Sequence, residues 1–356
     1  MELPPDVETP ALVVDLDRLE ANVRHMAAVV AERGLSLRPH AKTHKSTHIG
    51  RMQLDAGAVG LTVATLSEAE VFAEAGCTDL LVAYPVVPRG TKADRLRRLL
   101  DTTRLVVGVD NGYGAAAVAE AAAGRPVRVA LEVDSGQHRT GVDPASVVAL
   151  AERCRELGLE VAGIFTHGGH AYAGPEATSP AAADEGAALT VAHDLLREAG
   201  HHLDLVSAGA TPTTGARRPG SVTEERPGTY VFHDRQQLGL GACTPDDLAL
   251  TVAATVVSVG HGRFVVDAGS KALASDRPPW LDGHGWVRGL GNAVVTTLSE
   301  HHGIVEGADV LPAVGDVVAV VPNHACTVVN LFDEYVVTRD GRVVDRWPVS
   351  ARGRNT

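Results

Sequence analysis

A cluster of basic and imidazole side chains follows a short apolar stretch near the start of the chain. Residues 38–46 read Arg-Pro-His-Ala-Lys-Thr-His-Lys-Ser, directly after residues 34–37. Pro39 favours an extended backbone, so we expect Lys42 at the end of a strand, where neighbouring cations would lower its pKa. Such an amine forms Schiff bases with carbonyl compounds, above all pyridoxal phosphate. The alternative is a solvated basic loop.

A second group of polar side chains follows the apolar residues 127–133. Residues 134–141 contain two glycines, which let a backbone approach a ligand closely, and Arg139, which offers a planar donor fork. The segment predicts a binding loop. A structural ion pair between Asp134 and Arg139 in a turn remains the alternative.

Two imidazoles and a phenol lie close together after another apolar run, residues 161–165. The following residues include His167, His170 and Tyr172. A single histidine is usually structural, but this grouping at one strand end favours a site with proton carriers.

Two small, hydroxyl-rich segments containing glycine lie further along the chain. Residues 207–213 read Ser-Ala-Gly-Ala-Thr-Pro-Thr, and residues 226–230 read Arg-Pro-Gly-Thr-Tyr. Segments of this type can wrap backbone N–H groups around a phosphate. Barrels of parallel strands often bind phosphate near their last two strands, which is where both segments fall.

His324 and Cys326 form a possible metal-binding pair. If residues 318–327 stay extended, the two side chains point to the same face. An imidazole and a thiolate supply half of a tetrahedral zinc site and leave positions open for water or substrate. The alternative is a polar pair on a half-buried strand, because complete structural zinc sites use four ligands.

Short apolar runs alternate with longer amphipathic segments in the first two thirds of the chain. The predicted strands are 35–37, 59–63, 80–84, 105–109, 127–133, 161–165, 203–206 and 230–232. Predicted helices include 16–33, 67–75, 145–157 and 181–199, ended by Gly34, Gly76, Gly158 and Gly200. This alternation predicts a parallel (β/α)8 TIM barrel, with a doubly wound open sheet as the alternative.

The pattern changes after about residue 240 to β-branched runs separated by Gly and Asp. These runs cover 250–259, 264–266, 293–297, 317–321 and 335–338. They predict an antiparallel β domain at the carboxyl end.

Composition limits the possible partners. The chain has 356 residues, 45% of them hydrophobic, and a formal net charge of -12. That charge argues against nucleic acid and anionic membranes as partners. No signal peptide or spanning segment is apparent, so we expect a cytoplasmic protein. The four cysteines are scattered, and we interpret all except Cys326 as packing residues.

Together these segments, with the Asp-Ala-Gly-Ser-Lys stretch at 267–271, resemble the eukaryotic-type D-serine dehydratase and D-threonine aldolase family. Members are fold-type III pyridoxal-phosphate enzymes of the alanine racemase superfamily. The resemblance covers nearly the whole chain in matching order. It implies an alanine-racemase-like barrel at 10–235, a C-terminal β domain at 240–350 that carries the metal ligands, and a homodimer.

The resemblance also implies roles for individual residues. Lys42 would bind pyridoxal 5'-phosphate as a Schiff base, and His324 with Cys326 would bind a divalent metal. Arg139 and Tyr172 would contact the cofactor ring. The residues that would hold its phosphate are Gly209, Thr211, Gly228, Thr229 and Tyr230. His167 and His170 would carry protons.

Two reactions on small D-β-hydroxy amino acids are consistent with this resemblance. A dehydratase acting on D-serine or 3-hydroxy-D-aspartate would release a keto acid and ammonia, whereas an aldolase would release glycine and an aldehyde. His-x-Cys is associated with dehydratases and zinc, and His-x-Asp with aldolases and manganese or magnesium. Cys326 therefore favours the dehydratase. An amino-acid racemase, a non-catalytic carrier of pyridoxal phosphate and a cofactor-free metal-binding protein remain lower alternatives.

Overall fold

The computed structural model describes residue 4, residues 6–217 and residues 220–356. It divides into two compact units. The barrel unit comprises residues 26–42, 49–228 and 353–356, and the sheet unit comprises the chain up to residue 25 together with residues 43–48 and 229–352. Within the described residues, no helix is both long and apolar enough to cross a membrane.

The helices and strands follow one another along the chain as two series. The first part of the chain contains β1 (Ala11–Asp15), α1 (Leu16–Glu32), β2 (Ser36–Leu37), α2 (Thr47–Asp55), β3 (Leu61–Val63), α3 (Leu66–Glu74), β4 (Asp79–Val82), α4 (Thr91–Thr102), β5 (Arg104–Val109), α5 (Gly112–Ala122), β6 (Arg128–Glu132), α6 (Val147–Glu156), β7 (Glu160–Phe165), α7 (Thr178–Glu198), β8 (Leu205–Ala208), β9 (Glu224–Glu225) and α8 (Arg235–Gly239). The rest contains β10 (Leu250–Gly260), β11 (Arg263–Val266), α9 (Ser270–Leu273), β12 (Gly285–Val287), β13 (Val294–Leu298), β14 (Gly303–Glu306), β15 (Val317–Pro322), α10 (Ala325–Val329), β16 (Glu334–Arg339) and β17 (Arg342–Pro348).

The barrel unit is built on eight parallel strands in the order β2-β9-β8-β7-β6-β5-β4-β3. The two end strands, β2 and β3, are connected by hydrogen bonds from the residues that directly follow β2. Thr62 N–H donates to the carbonyl of Pro39, and Ala41 N–H donates to the carbonyl of Thr62, each at 2.8 Å. The strands therefore form a closed parallel barrel, as predicted, rather than an open doubly wound sheet.

Seven of the eight predicted barrel strands are confirmed, and the eighth prediction, residues 230–232, is wrong. Those residues overlap a short 3-10 helix, Thr229–Val231, and the eighth strand is β9. β9 pairs in parallel with β2 on one side and β8 on the other.

Hydrophobic patterning could not reveal β9, because it consists of two glutamates that are both buried. Glu224 accepts a hydrogen bond from Arg38 at 2.7 Å, and Glu225 accepts one from Arg217 at 2.9 Å. Buried carboxylates are tolerated only when they are paired in this way. The strand is thus held by arginine partners, of which Arg38 is distant in sequence, rather than marked by an apolar pattern of its own.

The predicted helices are confirmed as α1, α3, α6 and α7. Each is followed by the glycine expected to end it; the φ angle is 69° at Gly34 and 85° at Gly200. Positive φ at these positions lets the chain leave the helix at little cost for glycine.

The sheet unit contains a closed ring of strands. β10, β11, β14, β13, β12 and β15 form the ring, because β10 pairs with both β15 and β11. An irregularity in register between Val256 and Ser258 accompanies the change of partner along β10. All pairs in the ring are antiparallel, so the predicted antiparallel β domain is confirmed.

β1, β16 and β17 extend this sheet from β10. β1 pairs antiparallel with β10 and parallel with β16. The chain thus contributes a strand to the β sheet before it enters the barrel, a connection that the sequence pattern did not indicate. A buried cluster of Ala11, Val13, Ala253 and Val336 joins these strands.

Candidate active site and metal pair

Lys42 lies after β2, beyond the carboxyl end of that strand, as predicted from Pro39. Its backbone N–H donates to Nδ1 of His40 at 3.4 Å. The positive charge of Arg38 is neutralised by carboxylates, whereas the basic cluster led us to expect it to act on Lys42. Its guanidinium is ion-paired with both Glu224 and Asp79, which hold its pKa above the ordinary value despite burial. Within the basic cluster, Arg38 therefore has a structural role, and Lys42 remains a candidate functional residue.

His167 lies on the chain directly after β7 and is half-buried. Burial, together with the positive charges of Lys42, Arg139 and Arg226, lowers the pKa of His167 well below its ordinary value. The imidazole is therefore neutral near pH 7 and can accept a proton. The same electrostatics place His167 within the field of Lys42 and of two arginines.

His170 and Tyr172 belong to a short 3-10 helix, Gly169–Ala173. Nε2 of His170 lies 3.2 Å from the carboxylate of Asp184, which can orient the ring. The rings of His167 and Tyr172 are tilted by 40° with centroids 6.4 Å apart. The structure thus brings together the three polar side chains that the sequence grouped at this strand end.

Arg139 is exposed on the loop after β6. Asp134 accepts hydrogen bonds from the N–H groups of Gly136 and His138 and from the His138 ring, the last at 2.7 Å. Burial opposes ionisation of Asp134, but these contacts outweigh it and leave the pKa of Asp134 below its ordinary value. The partner of Asp134 in this loop is therefore His138, and the alternative of a structural pair with Arg139 finds no support among the described contacts.

Gly209 has a φ angle of 104°, and a side chain there would collide with the carboxylate of Glu225. Its N–H points to Oε1 of Glu185 at 3.3 Å, and the same oxygen accepts the N–H of Gly168 at 2.8 Å. Glu185 lies on α7 and is fully buried. Gly209 thus contributes its backbone conformation to this loop, while its N–H is directed to a carboxylate.

The other predicted phosphate-binding residues fall in both units. Thr211 is buried in the loop after β8, and Gly228 is the last residue of its segment of the barrel unit. Thr229 and Tyr230 begin the next segment of the sheet unit, within the 3-10 helix Thr229–Val231. Tyr230 is 1% exposed, so its ring lies in the core.

Arg226 was missed as a functional candidate because the sequence pointed to the glycine that follows it. Its side chain is buried in the barrel unit, where Nε donates to the hydroxyl of Ser207 at 2.7 Å and Nη2 donates to the carbonyl of Thr166. The guanidinium lies 5.3 Å from the centre of the Phe165 ring. Burial lowers the pKa of Arg226, although several carboxylates oppose that shift.

In the barrel unit, the donor set suits an anionic cofactor that carries an aldehyde. Lys42 offers an amine, while Arg139 and Arg226 supply positive charge near His167. The backbone at Gly209 leaves no room for a side chain. These residues therefore fit the chemistry of pyridoxal phosphate.

His324 and Cys326 are not on an extended strand, contrary to the sequence-based expectation. β15 ends at Pro322, His324 precedes α10 with φ -138° and ψ 112°, and Cys326 lies in the first turn of that helix. The Cys326 side chain nevertheless lies close enough to His324 to raise the pKa of that imidazole. The helix turn brings the two groups together where strand alternation was expected to do so.

Polar groups surround the pair within the sheet unit. Cys326 Sγ lies 3.2 Å from the Thr43 hydroxyl and 3.9 Å from that of Thr229. Nδ1 of His324 lies 3.3 Å from Oδ2 of Asp234. Burial lowers the pKa of His324, but Cys326 and Asp234 outweigh it and raise that pKa well above the ordinary value.

The imidazole of His324 and the thiol of Cys326 fit a divalent metal of intermediate softness, which binds both nitrogen and sulfur. Among the described residues, no group of three or more His, Cys, Asp or Glu side chains is arranged to hold a metal ion. The protein would thus offer two ligands, an imidazole nitrogen and a thiolate sulfur, and water or substrate would supply the rest. Zinc accepts both ligand types and tolerates open coordination.

The other cysteines fit the packing role predicted for them. Cys77 and Cys154 are buried, and Cys243 is half-buried. Burial raises the pKa of the Cys154 thiol to about 11 and that of Cys243 to about 12. Thiols with such values are poor nucleophiles and poor metal ligands near neutral pH.

Comparison with protein-family models decides the family. Residues 14–236 match the alanine racemase N-terminal domain, and residues 249–338 match the serine dehydratase domain. The chain belongs to the family of D-serine dehydratases and D-threonine aldolases. The predicted family and the alanine-racemase-like fold are therefore confirmed, and the family is one of fold-type III pyridoxal-phosphate lyases.

Members of this family resemble the chain over almost its full length. D-threo-3-hydroxyaspartate dehydratase of Delftia sp. (strain HT23) is 36% identical, with 95% of this chain and 96% of the relative covered. D-threonine aldolase of Arthrobacter sp. is also 36% identical, with 98% and 93% covered. The solved structure of a D-threo-3-hydroxyaspartate dehydratase variant in its metal-free form has a TM-score of 0.89 at 35% identity, covering 96% of this chain and 97% of that one.

Proposed function

We propose that this protein is a lyase that uses pyridoxal phosphate and a divalent metal to dehydrate D-β-hydroxy amino acids. The products would be a keto acid and ammonia. The observation that carries the proposal is the placement of His324 directly before α10 and of Cys326 in its first turn, which brings an imidazole and a thiol together. A thiolate in this pair favours zinc over the harder metals, which fits the dehydratase branch of the family.

Lys42 is proposed to hold pyridoxal phosphate as a Schiff base. When bound, the cofactor supplies an electron sink for the bond broken at Cα of the substrate. Arg139 and Tyr172 are proposed to contact its ring. Its phosphate is assigned to Gly209, Thr211, Gly228, Thr229 and Tyr230, with Gly209 acting through backbone shape because its N–H is directed to Glu185.

His324 and Cys326 are proposed to hold the metal, with zinc preferred and manganese or magnesium as alternatives. When bound, the metal supplies a Lewis acid that polarises the β-hydroxyl of the substrate. The deprotonated sulfur and the imidazole nitrogen are the donors that the chain offers to it. The proposed partner of this site is a small amino acid with a hydroxyl on Cβ.

Lys42 is proposed to move the proton that starts dehydration. With cofactor and substrate bound, Nζ of Lys42 would be the amine that takes the proton from Cα. The β-hydroxyl then leaves as hydroxide and is protonated to water. The enamine that remains takes up one water, releasing ammonia and the keto acid, so the net reaction conserves all atoms of the substrate.

Retro-aldol cleavage to glycine and an aldehyde is the second candidate. It requires a base for the proton of the β-hydroxyl, and His167 is neutral because its pKa is well below the ordinary value. The 36% identity to the Arthrobacter D-threonine aldolase also supports this candidate. We prefer dehydration because Cys326 stands where an aldolase is expected to carry Asp.

Product analysis tests the proposal. Enzyme loaded with zinc, and separately with manganese, would be incubated with D-serine, D-threonine and 3-hydroxy-D-aspartate. We expect keto acid and ammonia in equal amounts, fastest with zinc. Glycine and an aldehyde would instead establish the aldolase, and an inverted amino acid would establish a racemase. Homodimerisation remains a prediction from the resemblance, and a cytoplasmic location remains a prediction from the sequence.

A further inference from the structure

Asp234 is a fully buried carboxylate whose two oxygens have different partners. Oδ1 accepts the N–H of Gln237 at 2.9 Å, which makes Asp234 the N-cap of α8. Oδ2 accepts the N–H of Ala325 at 2.9 Å and lies 3.3 Å from Nδ1 of His324. A helix cap needs only one oxygen. The second oxygen therefore serves the segment that carries His324 and Cys326.

The contact with Ala325 fixes backbone between the two proposed ligands. Ala325 is the residue that separates His324 from Cys326, and it is the first residue of α10. A buried N–H held by a charged oxygen is costly to release. The same carboxylate that faces the His324 ring thus also sets the position from which both side chains project.

The contact with His324 selects which ring nitrogen can face an ion. Nδ1 lies on the side of Asp234, 3.3 Å from Oδ2, so Nε2 is the nitrogen that remains for a metal. A carboxylate on the opposite side of a ligating imidazole fixes its tautomer and orientation and makes it a stronger donor. This effect is separate from the capping of α8, because it depends on the charge of Oδ2.

We propose that Asp234 is a positioning residue that raises the metal affinity of the His324 and Cys326 pair. The inference rests on the proposed function, because it requires that the pair bind a metal. It extends that function by assigning to the capping carboxylate a role in setting how tightly the ion is held.

The test is zinc affinity of the full-length protein with pyridoxal phosphate bound, measured by competition with a chromophoric chelator. Asp234→Asn keeps an oxygen for one N–H but removes the charge. Asp234→Ser keeps a good cap for Gln237 and cannot reach His324 in the same way. We expect both variants to bind zinc about 10- to 100-fold more weakly than wild type.

Asp247→Asn is the matched control. Asp247 also takes part in a helix cap in the sheet unit: it is the last residue of the 3-10 helix Pro245–Asp247, accepts the N–H of the N-cap residue Thr244 at 2.7 Å, and has no described contact with His324 or Cys326. We expect its zinc affinity to stay within about twofold of wild type, a change below about 0.5 kcal/mol.

A spectrum separates positioning from general stability. With cobalt in place of zinc, the sulfur-to-cobalt and ligand-field bands report the geometry of the pair directly. We expect these bands to shift in both Asp234 variants and to stay unchanged in Asp247→Asn. A role confined to capping would lower the melting temperature and leave the bands and the affinity unchanged.

The outcomes distinguish failure of the positioning role of Asp234 from failure of the proposed function. If wild type binds zinc and folded Asp234 variants bind it equally well, the positioning role is overturned while the proposed function stands. If neither variant folds, the carboxylate is structural and the positioning role is likewise overturned. If wild type itself binds no divalent metal, the metal part of the proposed function fails.

Discussion

His167 in the barrel unit and His324 in the sheet unit are both half-buried, yet their surroundings act on them in opposite directions. Burial and nearby cations lower the pKa of His167 well below its ordinary value. Burial also disfavours the charged form of His324, but Cys326 and Asp234 overcome it and raise that pKa. The comparison teaches that the sign of the neighbouring charge, more than burial, assigns the two rings different tasks.

We propose that Lys42 of the barrel unit holds the cofactor and that His324 and Cys326 of the sheet unit hold the metal. Each function should then be removable without the other. Substitutions in each unit test that separation, from the largest expected effect to the smallest.

Lys42→Ala should abolish cofactor attachment. We expect the visible band of the Schiff base to disappear and turnover to fall by more than about 10⁴-fold, beyond the loss of a single general base. Zinc affinity should stay near the wild-type value. Lys271→Ala is the control, because Lys271 is exposed and paired with Glu300. A persistent Lys42→Ala band that borohydride reduction fixes to the protein would contradict the assignment.

Arg217→Met should strongly destabilise the barrel unit. Arg217 is 1% exposed at its side chain and bridges the fully buried carboxylates of Glu185 and Glu225. Removing it leaves Glu185 without an arginine partner and Glu225 with only Arg33, so we expect a loss of about 3–5 kcal/mol in the free energy of unfolding by urea. The exposed pair of Arg51 and Asp55 offers the control Arg51→Met, with an expected change below about 0.5 kcal/mol. Equal effects would disprove the importance of this network.

Cys326→Asp should change the metal preference without removing the cofactor. A carboxylate is a harder ligand than a thiolate, so zinc should bind about tenfold more weakly, about 1.4 kcal/mol, relative to manganese. The visible band should stay. Cys243→Ser is the control, because Cys243 is a packing residue. An unchanged ratio of zinc to manganese affinity in Cys326→Asp would show that the sulfur is not a ligand.

The acidic limb of the pH profile tests the lowered pKa of His167. Its pKa in the folded protein lies below 6.5, so the ring stays neutral as the pH falls through 6.5 and protonates only under more acidic conditions. If His167 is a base, kcat/KM for aldol cleavage should decline only below pH 6.5, and His167→Asn should remove that limb. His202→Gln, at an exposed position, should leave it in place. A limb centred at or above pH 6.5 would contradict the assignment.

The barrel was predictable wherever apolar runs marked strands and glycines marked helix ends. β9 was not, because its two glutamates are held by Arg38 and Arg33, which are distant in sequence. β1 was missed for a related reason, since nothing local in its sequence indicates that it pairs with β10 and β16. The local sequence pattern predicts most helices and strands, whereas partners distant in sequence decide which sheet some of the strands join.

The local geometry of the candidate site differs from the expectation drawn from the sequence. His324 and Cys326 were paired on the assumption of an extended strand, and a helix turn brings them together instead. Arg226 was missed because its burial inside the barrel unit depends on Ser207 and Thr166, which lie on other strand ends. Asp234 gave no motif at all, since its two oxygens act on segments far apart in sequence.

The most direct test of the central claim uses D-serine deuterated at Cα and zinc-loaded enzyme. Dehydration breaks the Cα–D bond, so we predict ammonia and keto acid in equal amounts, formed more slowly than from unlabelled D-serine. Aldol cleavage leaves that bond intact. Glycine that retains the deuterium, with an equivalent of aldehyde and no ammonia, would contradict the dehydratase and identify the protein as an aldolase.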